Sequence, residues 1–378
     1  MKNMTHTALI LFIVCLFTGC DGNIARRSVT KAEVPEMELH TFKLPMNYTN
    51  QILEAFCYPT STRIGEADCM LIYNHLMHAI GIIDLTHQRP LKQIKLKLEG
   101  ENRIGDVRGI FSYKDDFILR SSFGFHRIDG TGNILSSWSG DHYLKGHEEL
   151  KEYSIMIPEL MTYFNLYNFA GYDECNGLTT FSIYKNKKEN GEYPKKILVV
   201  DCHTCEVVDV IDVFCPERMK QEPHLGILGS ANSIPHGDLV IYNFPASDDV
   251  YVYNRKTKDT RTYSLESNFT KPYYQCKEED EEGLSTGHYF PLRYDALHDC
   301  FWRVQQQPKT ERQDIADKAF SIVRISSDFQ VTEEYIIPNK KGTLPYALFT
   351  EKQLLLNRPN LQGNEENMIF FYGINTER

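Results

Sequence analysis

The sequence predicts an all-β protein, a six-bladed β-propeller. Three observations point to this fold class: short β-branched and aromatic runs between turn residues, a strand–turn–strand motif that recurs along the chain, and a strand that is missing at the end and spare at the start. Aromatic residues make up 12% of the 378 residues, and no long stretch after residue 38 has a helical period. This pattern favours strands over helices.

The chain begins with the features of a bacterial export signal. Lys2 provides a positive charge, Ala8 to Phe17 form an apolar run, and small residues precede Cys20. This arrangement predicts a signal peptide over residues 1–19. Its apolar run is too short to be a membrane-spanning helix, which needs roughly 20 apolar residues. Phe17-Thr18-Gly19-Cys20 resembles a lipobox, so we expect a lipid on Cys20. The alternative is an ordinary signal peptide in which this cysteine is incidental.

The segment after Cys20 is polar and unpatterned up to Glu38, which predicts a flexible tether over residues 20–37. The net charge of −10 argues against a nucleic-acid partner, because such binding depends on neutralising phosphates. The predicted partners are therefore a membrane, through Cys20, and an unknown protein, peptide or glycan.

The repeated motif is an apolar run that ends in a polar turn and is followed by a second β run. The turns start at Asp84, Asp129, Asp201, Asn254 and Ile325, and a sixth run reaches Gly373. Each interval has room for two earlier strands, which gives four strands, A to D, per repeat. A repeating four-stranded antiparallel unit is typical of a propeller blade.

The predicted strands are clearest in three blades. They are VRGIFSY, FILRSS, FGFHRI and NILSSW in blade 2; HLGILGS, LVIYNF, VYVYN and TRTYSL in blade 4; and YFPLRY, CFWRVQ, SIVRI and QVTEEYII in blade 5.

The last repeat lacks a D strand, whereas Glu38 to Leu44 form a strand without a blade. Placing that strand as the missing D strand completes six blades, closes the ring and hides exposed strand edges. This predicts a single propeller domain over residues 38–378. Two β-sandwich domains are the rival architecture, but they do not explain the missing and spare strands.

Several segments resemble an uncharacterised family of Bacteroidetes lipoproteins that have TolB-like six-bladed propellers. They are the lipobox, FKLP, GIIDL, KQIKLKLEGENRIGDV and YFPLRYDALHDCFWRV. The resemblance covers most of the mature chain. It implies the propeller fold and lipid anchoring in the cell envelope, at the outer membrane. The family offers no established activity and no catalytic residues. Arg26 and Arg27, in a segment without an acidic cluster, favour the periplasmic side.

In a propeller, D-to-A and B-to-C connections share one face, and the long segments fall mostly there. They are Glu99 to Val107, Ser139 to Ser154, Tyr184 to Lys196, Glu266 to Gly287, Gln305 to Ala319 and Arg358 to Glu366. Loops on a rigid scaffold commonly carry binding sites. We therefore expect a ligand site on this face, around the central channel.

Six residues at or near the starts of the second and fifth inner strands are the candidate ligand contacts. They are Arg103, Asp106, Arg108, His288, Tyr289 and Arg293. Polar groups on inner strands line the channel, and arginine suits bidentate recognition of a carboxylate or phosphate. The alternative is that these groups pair with one another and fill the channel.

Eight cysteines lie outside the signal and anchor, and an exported protein can form disulfides. Connectivity does not follow from sequence, although Cys57 and Cys69 at facing hairpin ends could pair. Eight free thiols are the alternative. Cys202 and Cys205 form a CxxC, which we interpret as a turn or a local disulfide rather than a redox pair or half of a zinc site.

No metal or cofactor is predicted. His142, His147 and Glu148 could ligate a metal with help from His224 or His288, but solvated loop histidines are the favoured interpretation. The acidic run over residues 277–282 lacks the spacing and glycine turn of a calcium loop.

No nucleophile elbow, P-loop or HExxH motif is present. The preferred hypothesis is a non-catalytic binding or scaffold propeller in the envelope. The alternative is a propeller enzyme, a metal-assisted hydrolase or glycan lyase with its site at the central channel. A third hypothesis is a structural spacer whose channel is plugged by its own side chains.

Overall fold

The computed structural model shows six small β-sheets arranged as the blades of a β-propeller. It describes residues 24–32, 38–43, 60–74, 77–100, 103–105, 107–121, 123–156, 171–173, 175–187, 195–220, 226–275, 286–308, 319–330, 332–337, 347–357 and 368–375. The predicted signal peptide, residues 1–19, and Cys20 lie outside the described residues. Among the helices of the described ranges, none has the length and hydrophobicity needed to cross a membrane.

The strands are numbered in chain order. Three precede the first blade: β1 Ile24–Ser28, β2 Thr30–Ala32 and β3 Glu38–Lys43. Blade 1 contains β4 Thr60–Ile64, β5 Ala67–Asn74, β6 Ala79–Asp84 and β7 Arg89–Lys95. Blade 2 contains β8 Gly109–Tyr113, β9 Asp116–Arg120, β10 Gly124–Ile128 and β11 Ile134–Ser139. Blade 3 contains β12 Tyr153–Ile155, β13 Tyr172–Asp173, β14 Leu178–Lys185, β15 Lys195–Asp201 and β16 Glu206–Asp212.

Blade 4 contains β17 Asn232–His236, β18 Leu239–Asn243, β19 Asp249–Asn254 and β20 Thr260–Glu266. Blade 5 contains β21 His288–Tyr289, β22 Arg293–Asp295, β23 Cys300–Gln306, β24 Phe320–Ser326 and β25 Thr332–Ile337. Blade 6 contains β26 Ala347–Phe349, β27 Gln353–Asn357 and β28 Met368–Asn375. Helix α1 spans Gly140–Gly146, helix α2 spans Glu217–Lys220, and Gly226–Gly229 form a 3₁₀ helix.

The predicted closure of the ring is confirmed. Strand β3 pairs antiparallel with β28, with Lys43 opposite Met368 and Glu38 opposite Gly373, so the N-terminal strand is the D strand of blade 6. The first and last parts of the described chain therefore share one sheet. This pairing also excludes the rival arrangement of two β-sandwiches.

The segment predicted as a flexible tether is in part a structural strap, which corrects that prediction. Strand β1 pairs parallel with β20 on the outer edge of blade 4, and β2 pairs parallel with β25 on the outer edge of blade 5. Between them, Val29 is buried in the apolar cluster that joins these two blades. A strand on an outer edge needs only its main-chain hydrogen bonds, so a polar sequence can form it.

The inner strand of blade 4 also differs from its predicted position. The sequence assigns it to HLGILGS, whereas the structure forms it from Asn232–His236, with Gly226–Gly229 as a 3₁₀ helix. This strand contains Pro235, which lacks an N–H to donate. The proline is accommodated because the innermost strand of a blade is an edge strand, where a missing N–H breaks no ladder on the channel side.

Asx turns explain the repeated motif. In the C-to-D turns, the side chain of Asp84, Asp201 or Asn254 accepts hydrogen bonds from main-chain N–H groups two or three residues later. Asp129 accepts hydrogen bonds from the main-chain N–H groups of Thr131 and Asn133, two and four residues later. Three or four residues after each of these turn starts, the backbone is left-handed, with φ between 52° and 90°. Short polar side chains of this kind stabilise such turns.

The apolar cores lie between neighbouring blades rather than at the centre of the ring. Buried clusters join blades 1 and 2, 2 and 3, 3 and 4, 4 and 5, and 5 and 6. One example is Trp138 of blade 2, whose ring lies 4.8 Å from that of Phe181 in blade 3. The central channel is thus left free for other side chains.

The six cysteines of the described ranges, Cys69 among them, are outside disulfides. Cys202 is fully buried, and Cys205 occupies the left-handed position of its turn, with φ 61°. The interpretation of this CxxC as a turn is confirmed. Cys57 and Cys276 lie outside the described residues.

Candidate functional site

Inner strands or turns from all six blades meet at a cavity of about 190 Å³ in the central channel. Its lining residues are Thr60, Ser61, Thr62, Arg63, Phe111, Gly171, Tyr172, Asp173, Cys175, Ile234, Leu292, Arg293, Tyr294, Asp295, Ala296, Leu297 and Phe349. Residues of the A-to-B turns, including Cys175 and Leu297, are among them. The cavity therefore opens towards the face of the A-to-B and C-to-D turns, which we call the turn face. The opposite face, with the B-to-C and D-to-A connections, is the loop face.

Blade 1 contributes a wall of hydroxyl groups. Ser61 accepts a hydrogen bond from the main-chain N–H of Phe349 at 3.0 Å, which joins blade 6 to blade 1. The hydroxyl of Thr62 is hydrogen-bonded to that of Ser112. Thr60 Oγ1 is buried and has no hydrogen-bond partner among the described residues. It therefore offers a polar atom to a ligand in the cavity.

Aromatic rings form the walls contributed by blades 2, 3 and 5. Phe111 and Tyr172 are stacked, with ring centroids 4.8 Å apart. Gly171, the residue before Tyr172, lets blade 3 approach blade 4 closely, because a Cβ at this position would lie 2.1 Å from Ile234 Cα. Tyr294 packs against His236 and donates a hydrogen bond to Asp299 at 2.7 Å. Burial, reinforced by that hydrogen bond, raises the pKa of Tyr294.

The carboxylate of Asp173 is occupied by the turn that follows it. It accepts hydrogen bonds from the main-chain N–H of Cys175 and from both the main chain and side chain of Asn176. It also accepts one from Gly237 N in blade 4 at 2.8 Å. The acid thus fixes two neighbouring turns instead of presenting free oxygens to the cavity.

Asp295 has the same role in blade 5. Its side chain accepts hydrogen bonds from Leu297 N, the His298 ring and Trp302 Nε1 at 2.7–3.2 Å. His298 also reaches the main-chain oxygen of Glu351 in blade 6 at 3.0 Å, and Glu351 N donates to Asp68 in blade 1. These bonds connect the turns around the mouth, so the cavity is preorganised.

Two arginines supply positive charge at the cavity. Arg63 is the penultimate residue of the inner strand of blade 1, and its side chain is 41% exposed and lies 3.7 Å from Glu351. Arg293 begins strand β22 and is half-buried. A guanidinium group at an aromatic-walled cavity suits a carboxylate or another planar anion.

Of the six residues predicted as ligand contacts, only Arg293 lines the cavity. Arg103 is exposed in the connection between blades 1 and 2. Arg108 precedes strand β8, where its N–H donates to Arg120 O. Asp106 lies outside the described residues.

His288 and Tyr289 lie towards the loop face, away from the cavity. His288 is buried against Phe290, with ring centroids 4.6 Å apart, and its Nδ1 faces Thr286 O at 3.2 Å. Tyr289 is fully buried, and the guanidinium of Arg303 lies 4.8 Å from its ring. Tyr289 packs into the apolar cluster of blades 3 and 4, and its main-chain N–H donates to Pro245 O at 2.9 Å.

His147 and Glu148, two of the residues considered as metal ligands, contact neighbouring residues of the chain. His147 Nδ1 faces Tyr143 O at 2.8 Å at the end of α1, and Glu148 pairs with Lys151. His224 lies outside the described residues, as does the acidic run over residues 277–282. Within the described parts of the chain, no group of three or more His, Cys, Asp or Glu side chains is arranged to hold a metal ion.

A second polar cluster lies at the B-to-C loop of blade 4. Arg218 of α2 contacts Asp248 at 3.3 Å and Asp249 at 2.7 Å. Burial, followed by the neighbouring Asp249, raises the pKa of Asp248 to about 6. Arg303 donates to the main-chain oxygen of Asp248, so the cluster joins blades 4 and 5.

The sequence contains a signal for the cavity that the sequence-based prediction missed. Tyr172-Asp173 and Tyr294-Asp295 are the same dipeptide at the end of an inner strand, each followed by an Asx turn. Both dipeptides line the cavity. A repeated polar-aromatic pair before the A-to-B turn therefore marks the turn-face end of the channel.

Comparisons with known proteins agree with this fold. A search of curated proteins finds no match. The structure is similar to that of a DUF4221 family member from Bacteroides vulgatus ATCC 8482, with TM-score 0.66 and 17% identity over 89% of this chain and 97% of that one. It is also similar to a Bacteroides fragilis NCTC 9343 protein whose name marks it as a candidate exported protein, with TM-score 0.53 and 11% identity over 94% and 100% of the two chains.

The family assignment comes from the sequence itself. The model of the family described as a domain of unknown function, DUF4221, matches residues 61–336, which is most of the chain and runs from blade 1 to blade 5. The six-bladed propeller of this protein is thus a DUF4221 domain, and the chain belongs to that family.

Proposed function

We propose that this protein is a lipid-anchored binding protein of the cell envelope, which holds the anionic end of a glycan or peptide in its central cavity. The observation that carries the proposal is the convergence of all six blades on one cavity with aromatic walls, hydroxyl groups and two arginines. Aromatic rings can stack on sugar or side-chain faces, and arginine can bind a carboxylate. The volume of about 190 Å³ suits one sugar ring or one or two amino-acid residues.

The hydrogen bonds of the two aspartates at the cavity support binding over catalysis. A propeller hydrolase or lyase at the channel would need an acid or base that can reach its substrate. Asp173 and Asp295 instead accept three or four hydrogen bonds each from their own and neighbouring turns. Their lone pairs are used to hold the mouth of the cavity, which a binding protein requires.

The ligand proposal is tested by isothermal titration with matched pairs of compounds. The panel contains uronic-acid oligosaccharides beside their neutral analogues, and short peptides with free or amidated carboxyl ends. We expect binding of the anionic member of at least one pair and loss of that binding in Arg293→Ala. Arg103→Ala, an exposed arginine away from the cavity, is the matched control. Binding that survives in Arg293→Ala and disappears in Arg103→Ala would move the site to the loop face.

The envelope location rests on the N-terminal sequence. Residues 1–20 combine a charged start, an apolar run and a lipobox-like end. The similar Bacteroides fragilis protein has a name that marks it as a candidate exported protein, which supports export of this chain. We place the protein at the outer membrane, facing the periplasm.

The anchor is tested by mass spectrometry of the protein purified from membranes. A diacylglyceryl group on Cys20 at the new N-terminus is the expected result, and Cys20→Ala should release the protein from the membrane fraction. An N-terminus at another residue, or an unmodified Cys20, would contradict the anchor without affecting the ligand proposal.

A further inference from the structure

The strap formed by β1 fixes where the anchored end of the chain meets the propeller. Strand β1 is parallel to β20, and its first residue, Ile24, pairs with Thr262 near the start of β20. Strand β20 begins after the C-to-D turn of blade 4, so it starts at the turn face and runs towards the loop face. The chain therefore enters the propeller at Ile24 from the turn-face side of blade 4.

The strap is held by side chains as well as by its main chain. The Arg27 guanidinium lies 5.9 Å from the ring of Tyr263, and Val29 is 5% exposed between blades 4 and 5. Asn268 Nδ2 donates a hydrogen bond to Val29 O at 2.8 Å. These contacts come from two blades, so the direction in which the chain leaves the propeller is set by the fold.

The chain between the predicted anchor and the strap is short. Cys20 precedes Ile24 by four residues, and a fully extended chain of that length spans at most about 14 Å. A lipid on Cys20 would therefore lie within about 14 Å of the blade 4 rim. This distance is too short for the propeller to tumble freely above a bilayer.

We propose that blade 4 is seated on the phospholipid surface by its turn face, so that the mouth of the central cavity opens on the membrane side. The proposal rests on lipid attachment at Cys20, as proposed above. A ligand would then approach from the membrane-facing side, as a molecule attached to the same membrane can do. The loop face, with its long connections, would point away from the bilayer.

The contact between blade 4 and the membrane depends on the lipid on Cys20 rather than on attraction between basic side chains and phospholipids. The C-to-D turn of blade 4 is basic, but Lys256 pairs with Asp238 at 2.6 Å and Lys258 pairs with Asp209 at 2.9 Å. Arg255 also lies 4.0 Å from Asp209. Each of these three cations has an acidic neighbour, and two of them share Asp209. Little unpaired charge is therefore left to attract lipid, so the orientation should persist at high salt.

Tryptophan quenching by brominated phospholipids tests the orientation in the full-length, acylated protein reconstituted in vesicles. Lys256→Trp places a probe on the turn face of blade 4, where the native side chain is 74% exposed. Met77→Trp places one in the B-to-C connection of blade 1 on the loop face, where the native residue is 46% exposed. The signal of the native Trp138 and Trp302 is subtracted with the parent protein.

We expect the added fluorescence of Lys256→Trp to be lost in brominated vesicles, at low and high salt, and that of Met77→Trp to be retained. A long Gly-Ser insertion after Asn23 should restore the Lys256→Trp signal by lengthening the link. Quenching of Met77→Trp, or of neither probe, would overturn the orientation and leave the anchor and the ligand site intact. An unmodified Cys20 would overturn both the anchor and the orientation. Thermal unfolding of each variant verifies that the propeller is folded.

Discussion

Arg303 Nη1 donates a hydrogen bond to the main-chain oxygen of Asp248 at 2.9 Å, and this bond joins strand β23 of blade 5 to the B-to-C loop of blade 4. Arg303 is fully buried, beside the ring of Tyr289. Its guanidinium also reaches Gln305 Oε1 at 3.4 Å. A buried cation thus adds a polar link to the apolar cluster that joins blades 4 and 5.

Replacing Arg303 should destabilise the propeller strongly. Arg303→Ala removes the partner of buried oxygen atoms and leaves a cavity, so we expect a loss of about 3–5 kcal/mol in the free energy of unfolding. Urea denaturation measures the loss. Arg103→Ala serves as the control, because an exposed arginine should change the value by less than about 0.5 kcal/mol. Equal effects of the two variants would show that Arg303 contributes nothing at the boundary.

The stability of the protein should depend on pH through Asp248. Burial, followed by Asp249, raises the pKa of Asp248 from 3.8 to about 6 in the folded state. The folded protein therefore binds more protons than the unfolded chain between these two values. The stabilisation is fully present below pH 3.8 and is lost as the pH rises through about 6, which amounts to roughly 3 kcal/mol.

Asp248→Asn isolates this effect. The free energy of unfolding of the parent protein and of Asp248→Asn is measured between pH 4 and pH 7. Its slope against pH should differ between the two proteins, because the amide does not titrate. The parent should lose stability relative to the variant as the pH rises through this range. Parallel curves would show that Asp248 has the same pKa in the folded and unfolded states.

The strap should contribute to stability through Val29. Its side chain is 5% exposed between blades 4 and 5, so Val29→Ala should cost about 2 kcal/mol. Thr30 is the next residue and is exposed, so Thr30→Ala should have almost no effect. The comparison is made by urea denaturation. A flexible tether, in contrast, would leave both variants as stable as the parent.

Cys175 should be the reactive thiol at the cavity mouth. It is exposed, whereas Cys202 is fully buried and burial raises the pKa of its thiol. Because the thiolate is the nucleophile, Cys175 should react with Ellman's reagent much faster than Cys202. Cys175→Ser should remove one fast equivalent, and Cys202→Ser should remove none. A ligand bound in the cavity should slow the reaction of Cys175.

Much of the fold could be predicted because its signals are local. The blade strands follow from alternating and β-branched runs, and the C-to-D turns follow from Asp or Asn at the turn start. The closure by residues 38–43 followed from counting strands, and the structure confirms it. The inner strand of blade 4 was misplaced because Pro235 is a local signal against a strand, although the edge position tolerates it.

The candidate site was harder to predict because it depends on which blades meet. Ser61 and Phe349 are 288 positions apart, yet they share a hydrogen bond at the cavity. Arg293 and Tyr289 are four positions apart, yet one lines the cavity and the other fills the space between two blades. No local pattern separates these two environments, because each depends on the residues of neighbouring blades that face it.

The all-β class, the six blades, the closure and the turn chemistry could be predicted from the sequence alone, because hydrophobic period and turn propensity act over a few residues. Three features emerged only from the packing of the blades: Arg303 is buried between two blades, the segment over residues 24–32 is a strap, and the cavity opens on the turn face. Burial of a charge and pairing of an edge strand depend on partners distant in the chain. Those partners lie in other blades or near the other end of the chain, where no local pattern reveals them.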